Sequence, residues 1–349
     1  MHPVLVLGSY RWDQEWLPLD EFEERLRAMR AVMAARDWTG LIVHGNSEES
    51  ALLTYLTNFY PRLRWTLALV PAKGDIRLLV AGATRDLPAA AMLTWVKDVG
   101  WYGNADKVLP EWIASLGPKP RVALAGIGSM RPAVYDKVTA HCQPEEADAA
   151  LLPLLRKKRP RERQMLRQSA KILSDTAAAL AKDGLIAAER CARAGQAQDV
   201  RVLFSLDGGK TLKPFETPTD LTNPLSAAYV AVRYLGYWSE AFVTLGAGTP
   251  EKTAANAALG AMLDAAKPGA TGRDLARAAA SHLGRHAPHP MLGTSVGHGI
   301  GLSLDEEPSL RADSDAALEE GGVYALHVGI TGGFASAIIA PGNEILWRG

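Results

Sequence analysis

Apolar positions in the first third of the chain follow two rhythms in turn. Phe22, Leu26, Met29 and Met33 fall three or four residues apart, which sets them on one face of a helix over residues 19–37. A short apolar run, Leu41-Ile42-Val43, follows Gly40, and runs of the same form occupy residues 66–71, 76–80 and 121–125 between Gly, Pro or Asp, as buried strands do. Helical stretches are expected between them at residues 50–57, 84–92 and 106–115. The alternation predicts an α/β domain over residues 1–150.

The pattern breaks at residues 151–163, a charged passage in which Pro153 and Pro160 interrupt any continuous helix. Beyond it Leu166, Ala170, Leu173, Ala177 and Leu180 step by four and three, the stripe of a long amphipathic helix. Thr249-Pro250 reads as an N-cap with proline at the first helical position, and that helix stops at Lys267-Pro268-Gly269. Thr271 with Asp274 resembles a capping box opening the next helix. Strands are expected at residues 227–232, 242–245, 323–328 and 336–339, so residues 151–349 form a second, α+β domain.

Composition narrows the class. At 349 residues the chain exceeds one ordinary core, and 48% apolar with 22% charged residues suits a folded globular protein. The 38 basic and 38 acidic side chains cancel, which leaves no field to steer nucleic acid. The one basic run, residues 156–163, reads as a solvated approach to a helix. Cys142 and Cys191 form no CxxC pair and suit a reducing cytoplasm. The apolar stretch at residues 3–7 is too short for a signal peptide, and no run is long enough to span a membrane.

Three segments of the second domain, residues 229–244, 296–308 and 321–330, place polar groups where a strand core would be apolar. Gly297-His298-Gly299-Ile300-Gly301-Leu302, followed by Glu306-Glu307-Pro308, resembles the GHGIGL…HEEP segment of aminopeptidase P, prolidase and creatinase relatives. Gly236-Tyr237-Trp238-Ser239-Glu240 stands upstream where that superfamily has GY-x-S-D. Residues 318–330 resemble its L-x-x-G-M-V-F-x-I-E-P-G-I strand, residues 156–170 its K-x-x-E-I-x-x-M-R-x-A helix, and residues 53–59 its Y-L-T-G-F element. The resemblance runs in order along nearly the whole chain. It implies an α+β pita-bread domain behind a smaller α/β creatinase-type N-terminal domain, commonly in a homodimer.

Metal enzymes of that family hold two divalent ions with two aspartates, a histidine and two glutamates. By the resemblance, the aspartates correspond here to Tyr229 and Glu240, the histidine to His298 and the first glutamate to His327. The last glutamate falls at residues 334–336, which contain no carboxylate. The histidine of HEEP corresponds to Asp305, and a further histidine has no counterpart near Phe215 and Glu216. Glu240, His298 and His327 then stand around one of the two family metal positions, and two imidazoles with one carboxylate suit a single zinc or non-haem iron ion. Asp305 would be the general base. A metal-free route, as in creatinase, is the other possibility, although Phe242 and His327 stand where creatinase relatives carry glutamates. Arg64 occupies a place resembling the creatinase arginine that reaches the neighbouring subunit, and suits an anionic substrate. Tyr229 is expected to pack or hydrogen-bond across the other metal position.

Plainer roles compete with each of these: His298 as a partner of nearby backbone, His327 as a satisfied core histidine, Asp305 as a solvated acid, Arg64 as a surface residue. His282, His286 and His289 are expected to mark a solvated helix end, and the tryptophans of the first domain to pack in its core. The function expected is hydrolysis of a C–N bond in a small amino-acid-, peptide- or amidine-like substrate, with one divalent metal or none. The alternative is a catalytically silent aminopeptidase P homologue that binds a small molecule, a peptide or a protein.

Overall fold

A computed structural model describes residues 11–62, 64–214, 225–246, 248–342 and 344–349. The chain divides into two compact units, Ser9–Leu155 and Arg156–Gly349, five residues beyond the boundary read from the sequence.

The first unit runs α1 (Leu19–Ala35), β1 (Gly40–Asn46), α2 (Ala51–Thr57), β2 (Trp65–Pro71), β3 (Arg77–Val80), α3 (Leu87–Ala91), β4 (Asp98–Trp101), α4 (Ala105–Ser115), β5 (Val122–Ala125), α5 (Pro132–Thr139), β6 (Glu145–Glu146) and α6 (Asp148–Leu151), with α7 (Pro153–Arg156) at its end. Its strands form one sheet in the order β4-β3-β2-β1-β5-β6. β1 is antiparallel to β2 and parallel to β5. A strand covered on both faces needs no polar alternation, which is why β1 reads as an unbroken apolar run. On one face Ile42 packs with Leu109 and Ile113 of α4 and with Val134 and Val138 of α5. On the other, Gly45 makes room for Leu53 of α2, since a Cβ there would stand 2.8 Å from Leu53 Cδ2.

The second unit continues with α8 (Pro160–Asp183), α9 (Leu185–Ala194), β7 (Asp199–Ser205), β8 (Ala227–Tyr234), β9 (Tyr237–Thr244), α10 (Pro250–Ala265), α11 (Gly272–Leu283), β10 (Ser295–Gly299), β11 (Glu306–Arg311), β12 (Tyr324–Ile330), β13 (Gly333–Ala340) and β14 (Glu344–Arg348). Two antiparallel sheets result, ordered β11-β10-β12-β13-β14 and β7-β8-β9. Thr249 caps α10 by accepting from Lys252 N, and Thr271 and Asp274 form the capping box of α11. Pro160 opens α8 at its first turn, where its missing N–H costs nothing.

One expectation fails here. The basic run is not wholly solvated, because Lys158 is buried in an ion pair with Glu306. Glu306 is correspondingly an interior residue that also accepts from Ser303 N at 3.2 Å. Each charge is buried only because the other is beside it.

Strand alternation decides what faces what. Tyr324, Leu326 and Val328 of β12 and Ala335, Ala337 and Ile339 of β13 pack on Ala255, Leu259 and Met262 of α10. The intervening residues, Ala325 and His327 on β12 and Phe334 and Ser336 on β13, must point to the opposite face. There β9 meets β13 through side chains. Ser336 Oγ accepts from Phe242 N at 2.8 Å and donates to Phe242 O at 3.1 Å. Thr244 Oγ1 accepts from Phe334 N at 2.7 Å and donates to Phe334 O at 3.2 Å.

Candidate active site

On the small sheet Tyr229 lies opposite Phe242 and Ala231 opposite Glu240, so Tyr229, Glu240 and Phe242 share the face turned toward His327 and Ser336. On the larger sheet His298 pairs with Ala325, and His327 pairs with Ser336. Gly297, at φ +153°, admits the neighbouring strand, since a Cβ there would lie 2.3 Å from Ala325 O.

Glu240, His298 and His327 converge, with one ligand-capable atom of each within 4.8 Å of the others. Glu240 is nearly fully buried. Its Oε2 accepts the Tyr229 hydroxyl at 2.7 Å, and its Oε1 lies 2.9 Å from His298 Nε2 and 3.8 Å from His327 Nδ1. The 2.8 Å contact of His298 Nδ1 with the Gly299 carbonyl fixes the ring, because a carbonyl only accepts and Nδ1 must carry the proton. Nε2 then faces a carboxylate either as N–H of an imidazolium or as a lone pair sharing a cation with it.

The electrostatics follow from these contacts. Burial opposes charge on His298, but the Glu240 carboxylate and its hydrogen bond prevail and raise the pKa to about 9. Burial likewise opposes ionisation of Glu240, and His298 outweighs it, so that the carboxyl sits below its usual range. His327 goes the other way. Burial dominates, the attraction of Glu240 is weaker across 3.8 Å, and the pKa falls to about 4. Burial and the adjacent Glu240 carboxylate push the Tyr229 phenol well above its ordinary value, so it donates as a neutral hydroxyl.

The neutral His327 keeps one nitrogen unpaired, since Nδ1 is buried with no hydrogen-bond partner among the described residues. An orphaned buried polar atom costs about 1–3 kcal/mol. A tetrahedral zinc site with bonds near 2.0–2.1 Å has ligand edges of roughly 3.3 Å. The 2.9 and 3.8 Å separations at Glu240 Oε1 bracket that length. The donor set therefore fits one divalent ion.

The aromatic wall was only partly foreseen. Phe242 stacks on Phe334 with centroids 5.7 Å apart, meets Tyr229 at 4.8 Å and stands edge-on to His327 at 5.3 Å. Phe334 and the Ser336 hydroxyl fill the β13 side, where no second carboxylate stands. Asp305 is 75% exposed, its Oδ1 3.8 Å from His298 Nδ1, at the solvent edge of the cluster. Arg64 belongs to the first unit and lines a cavity there. Phe215 and Glu216 lie outside the described residues. His282 and His286 are exposed, but His289 is not part of a solvated helix end. It is buried against Phe334, donates from Nε2 to Lys210 O at 3.0 Å and accepts from Met291 N at 3.2 Å.

Two pleated faces of the second unit thus meet over a buried carboxylate and two imidazoles. The fold is the one shared by solved prolidases and aminopeptidases P, an α+β pita-bread domain preceded in the chain by a smaller α/β domain. Residues 222–343 match the profile of metallopeptidase family M24. Among solved structures, the Xaa-Pro dipeptidase from Bacillus anthracis aligns at a TM-score of 0.68 and 19% identity, covering 93% of this chain and 97% of its own. The prolidase from Pyrococcus horikoshii OT3 aligns at 0.71 and 14%, with the same coverage. The X-Pro aminopeptidase from Thermotoga maritima MSB8 aligns at 0.71 and 17%, covering 92% and 97%. No curated protein matches the chain by sequence. Among the described residues no helix is long and apolar enough to cross a membrane.

Proposed function

We propose that the second unit is a hydrolase centre for the C–N bond of a small amino-acid-, peptide- or amidine-like substrate, built around one divalent zinc or iron ion held by Glu240, His298 and His327. The observation that carries this reading is the buried, unpartnered Nδ1 of His327 directed with His298 Nε2 toward one oxygen of Glu240. A bound ion would supply Lewis acidity toward the oxygen or nitrogen doubly bonded to the carbon of the scissile bond, leaving that carbon more electrophilic.

The protein's own part concerns protons and position. Tyr229 holds Oε2 of Glu240 and so aims Oε1 at the two imidazoles. His298 must release its Nε2 proton to become a ligand, while Gly299 O retains the Nδ1 proton and thereby selects the tautomer. Asp305, at the solvent edge, is the carboxylate available to accept a proton from incoming water. Phe242 and Phe334 exclude water from the β13 side, which strengthens the electrostatics of the pocket.

One observation favours a second reading. Glu240 already has a donor on each oxygen, and Ser336 is satisfied by Phe242, so most of the cluster is self-sufficient as a metal-free, silent binding cavity. Metal analysis of protein purified without chelator separates the two. About one ion per chain, lost in His298→Ala and His327→Ala, is the expected result, and hydrolysis of Xaa-Pro and other dipeptides should disappear with it. No stoichiometric ion in the parent protein would sink the metal reading. The proposal includes a cytoplasmic homodimer, in keeping with the two free cysteines, and light scattering of the purified chain tests the dimer.

A further inference from the structure

The first unit contains a cavity of about 200 Å³ at the carboxyl ends of β1 and β5. These strands are parallel neighbours, and the helices that follow them, α2 and α5, pack on opposite faces of the sheet. The chain therefore leaves β1 and β5 in opposite directions and opens a crevice between the two exits, the place where open α/β sheets receive ligands. Asn46 fixes its shape. Its Oδ1 accepts from Glu48 N and Glu49 N, both at 2.8 Å, and its Nδ2 donates to Ser129 O at 3.0 Å, which ties the loop after β1 to the turn after β5.

The lining has a definite chemistry. Arg64 and Arg131 enter from the two sides, and neither has a carboxylate partner among the described residues. Arg131 lies over the Trp65 ring with its guanidinium carbon 5.0 Å from the centroid, a stack that holds the fork in place. Glu48 supplies a single negative charge. His44, 3% exposed, forms the floor beside Ser129 Oγ at 3.4 Å; burial keeps its imidazole neutral, so it adds no charge. Two cations thus face one anion across a space with room for about seven water molecules.

We propose that this cavity binds a small amino-acid anion, with Arg64 and Arg131 taking its carboxylates and Glu48 its ammonium group. Paired guanidinium forks match carboxylate geometry. The carboxylate of Glu48 gives the site a reason to prefer an amine-bearing anion over a bare one. An acidic amino acid, with two carboxylates and one ammonium, complements all three charges within the available volume. The site is made wholly of first-unit residues, so it stands independently of the metal reading.

Isothermal titration calorimetry of the full chain with L-glutamate, with glutarate and with inorganic phosphate tests the proposal. Glutamate should bind at one site per chain. Arg64→Gln and Arg131→Gln should each weaken it at least tenfold while leaving thermal unfolding unchanged, as both side chains are exposed. Glu48→Gln should weaken glutamate and leave glutarate, which lacks the ammonium, unaffected or tighter. His298→Ala should bind glutamate as the parent does. Absence of saturable glutamate binding, binding of phosphate alone, or glutamate binding indifferent to both arginine substitutions would each overturn it.

Discussion

Replacing Glu240 by Gln keeps the size of the side chain but removes its charge and exchanges one acceptor oxygen for an amide donor, so it tests whether the carboxylate holds the His298 proton. In the metal-free protein, burial would lower the pKa of His298 below the ordinary 6.5, and the carboxylate lifts it to about 9. A rise of that size corresponds to on the order of 3 kcal/mol between the protonated and neutral forms. At pH 7 the unfolded chain's histidine is mostly neutral, so the stabilisation present is on the order of 2–3 kcal/mol. Glu240→Gln should therefore move the His298 titration from about 9 to below 6.5, read from the imidazole Cε1–Hε1 signal in protein stripped with chelator. It should also lower the unfolding transition of the second unit by about 5–10 °C at pH 7. A His298 signal still titrating near 9 in Glu240→Gln would refute the argument, because a group other than Glu240 would then be holding the proton.

Stability of the stripped protein should depend on pH from both sides. The folded pKa of His298, about 9, lies above its unfolded value, so its contribution is full below about 6.5 and lost as pH rises through 9. The folded pKa of His327, about 4, lies below its unfolded value, so its contribution is present above about 6.5 and lost as pH falls through 4. Denaturant titrations should find a maximum near neutrality, and a maximum displaced to strongly alkaline pH would contradict the assignment. Tyr229→Phe removes the donor on Oε2 of Glu240 and should cost about 1.5–3 kcal/mol by chemical denaturation, the range for a hydrogen bond to a charged group. Lys158→Met leaves Glu306 buried without its cation and should cost about 3–5 kcal/mol, most of it restored in the double variant with Glu306→Leu. An unchanged denaturation midpoint in the single variant would show that Glu306 has another source of compensation.

The parts of this molecule legible in its sequence are those set by local rules. Thr249-Pro250 and Thr271 with Asp274 mark helix starts because a cap is a contact between residues three apart, and both caps are formed. β1 and β2 show in the apolar runs because both faces of those strands are covered. β7, β10, β11 and β14 escape such a reading, since the half-exposed Glu306–Arg311 and Glu344–Arg348 lack a strict alternation and Ser295–Gly299 is rich in glycine. The chemistry was visible as polar residues in strand-like runs. Its assembly was legible only through the family resemblance, because bringing Glu240 to His298 requires pairings between residues 58 positions apart. A separation of 148 positions hid the pairing of Lys158 with Glu306, two charges that together form part of an interior. Ser336 shows what a hydroxyl at this position permits. A glutamate on β13 would bring a charge into contact with Phe242 and Phe334, whereas the hydroxyl satisfies both backbone groups of Phe242 and adds no charge. Aromatic packing on β9 and β13 and a small hydroxyl between them are thus mutually required, and together they restrict the ligand-capable part of the site to Glu240 and its two imidazoles.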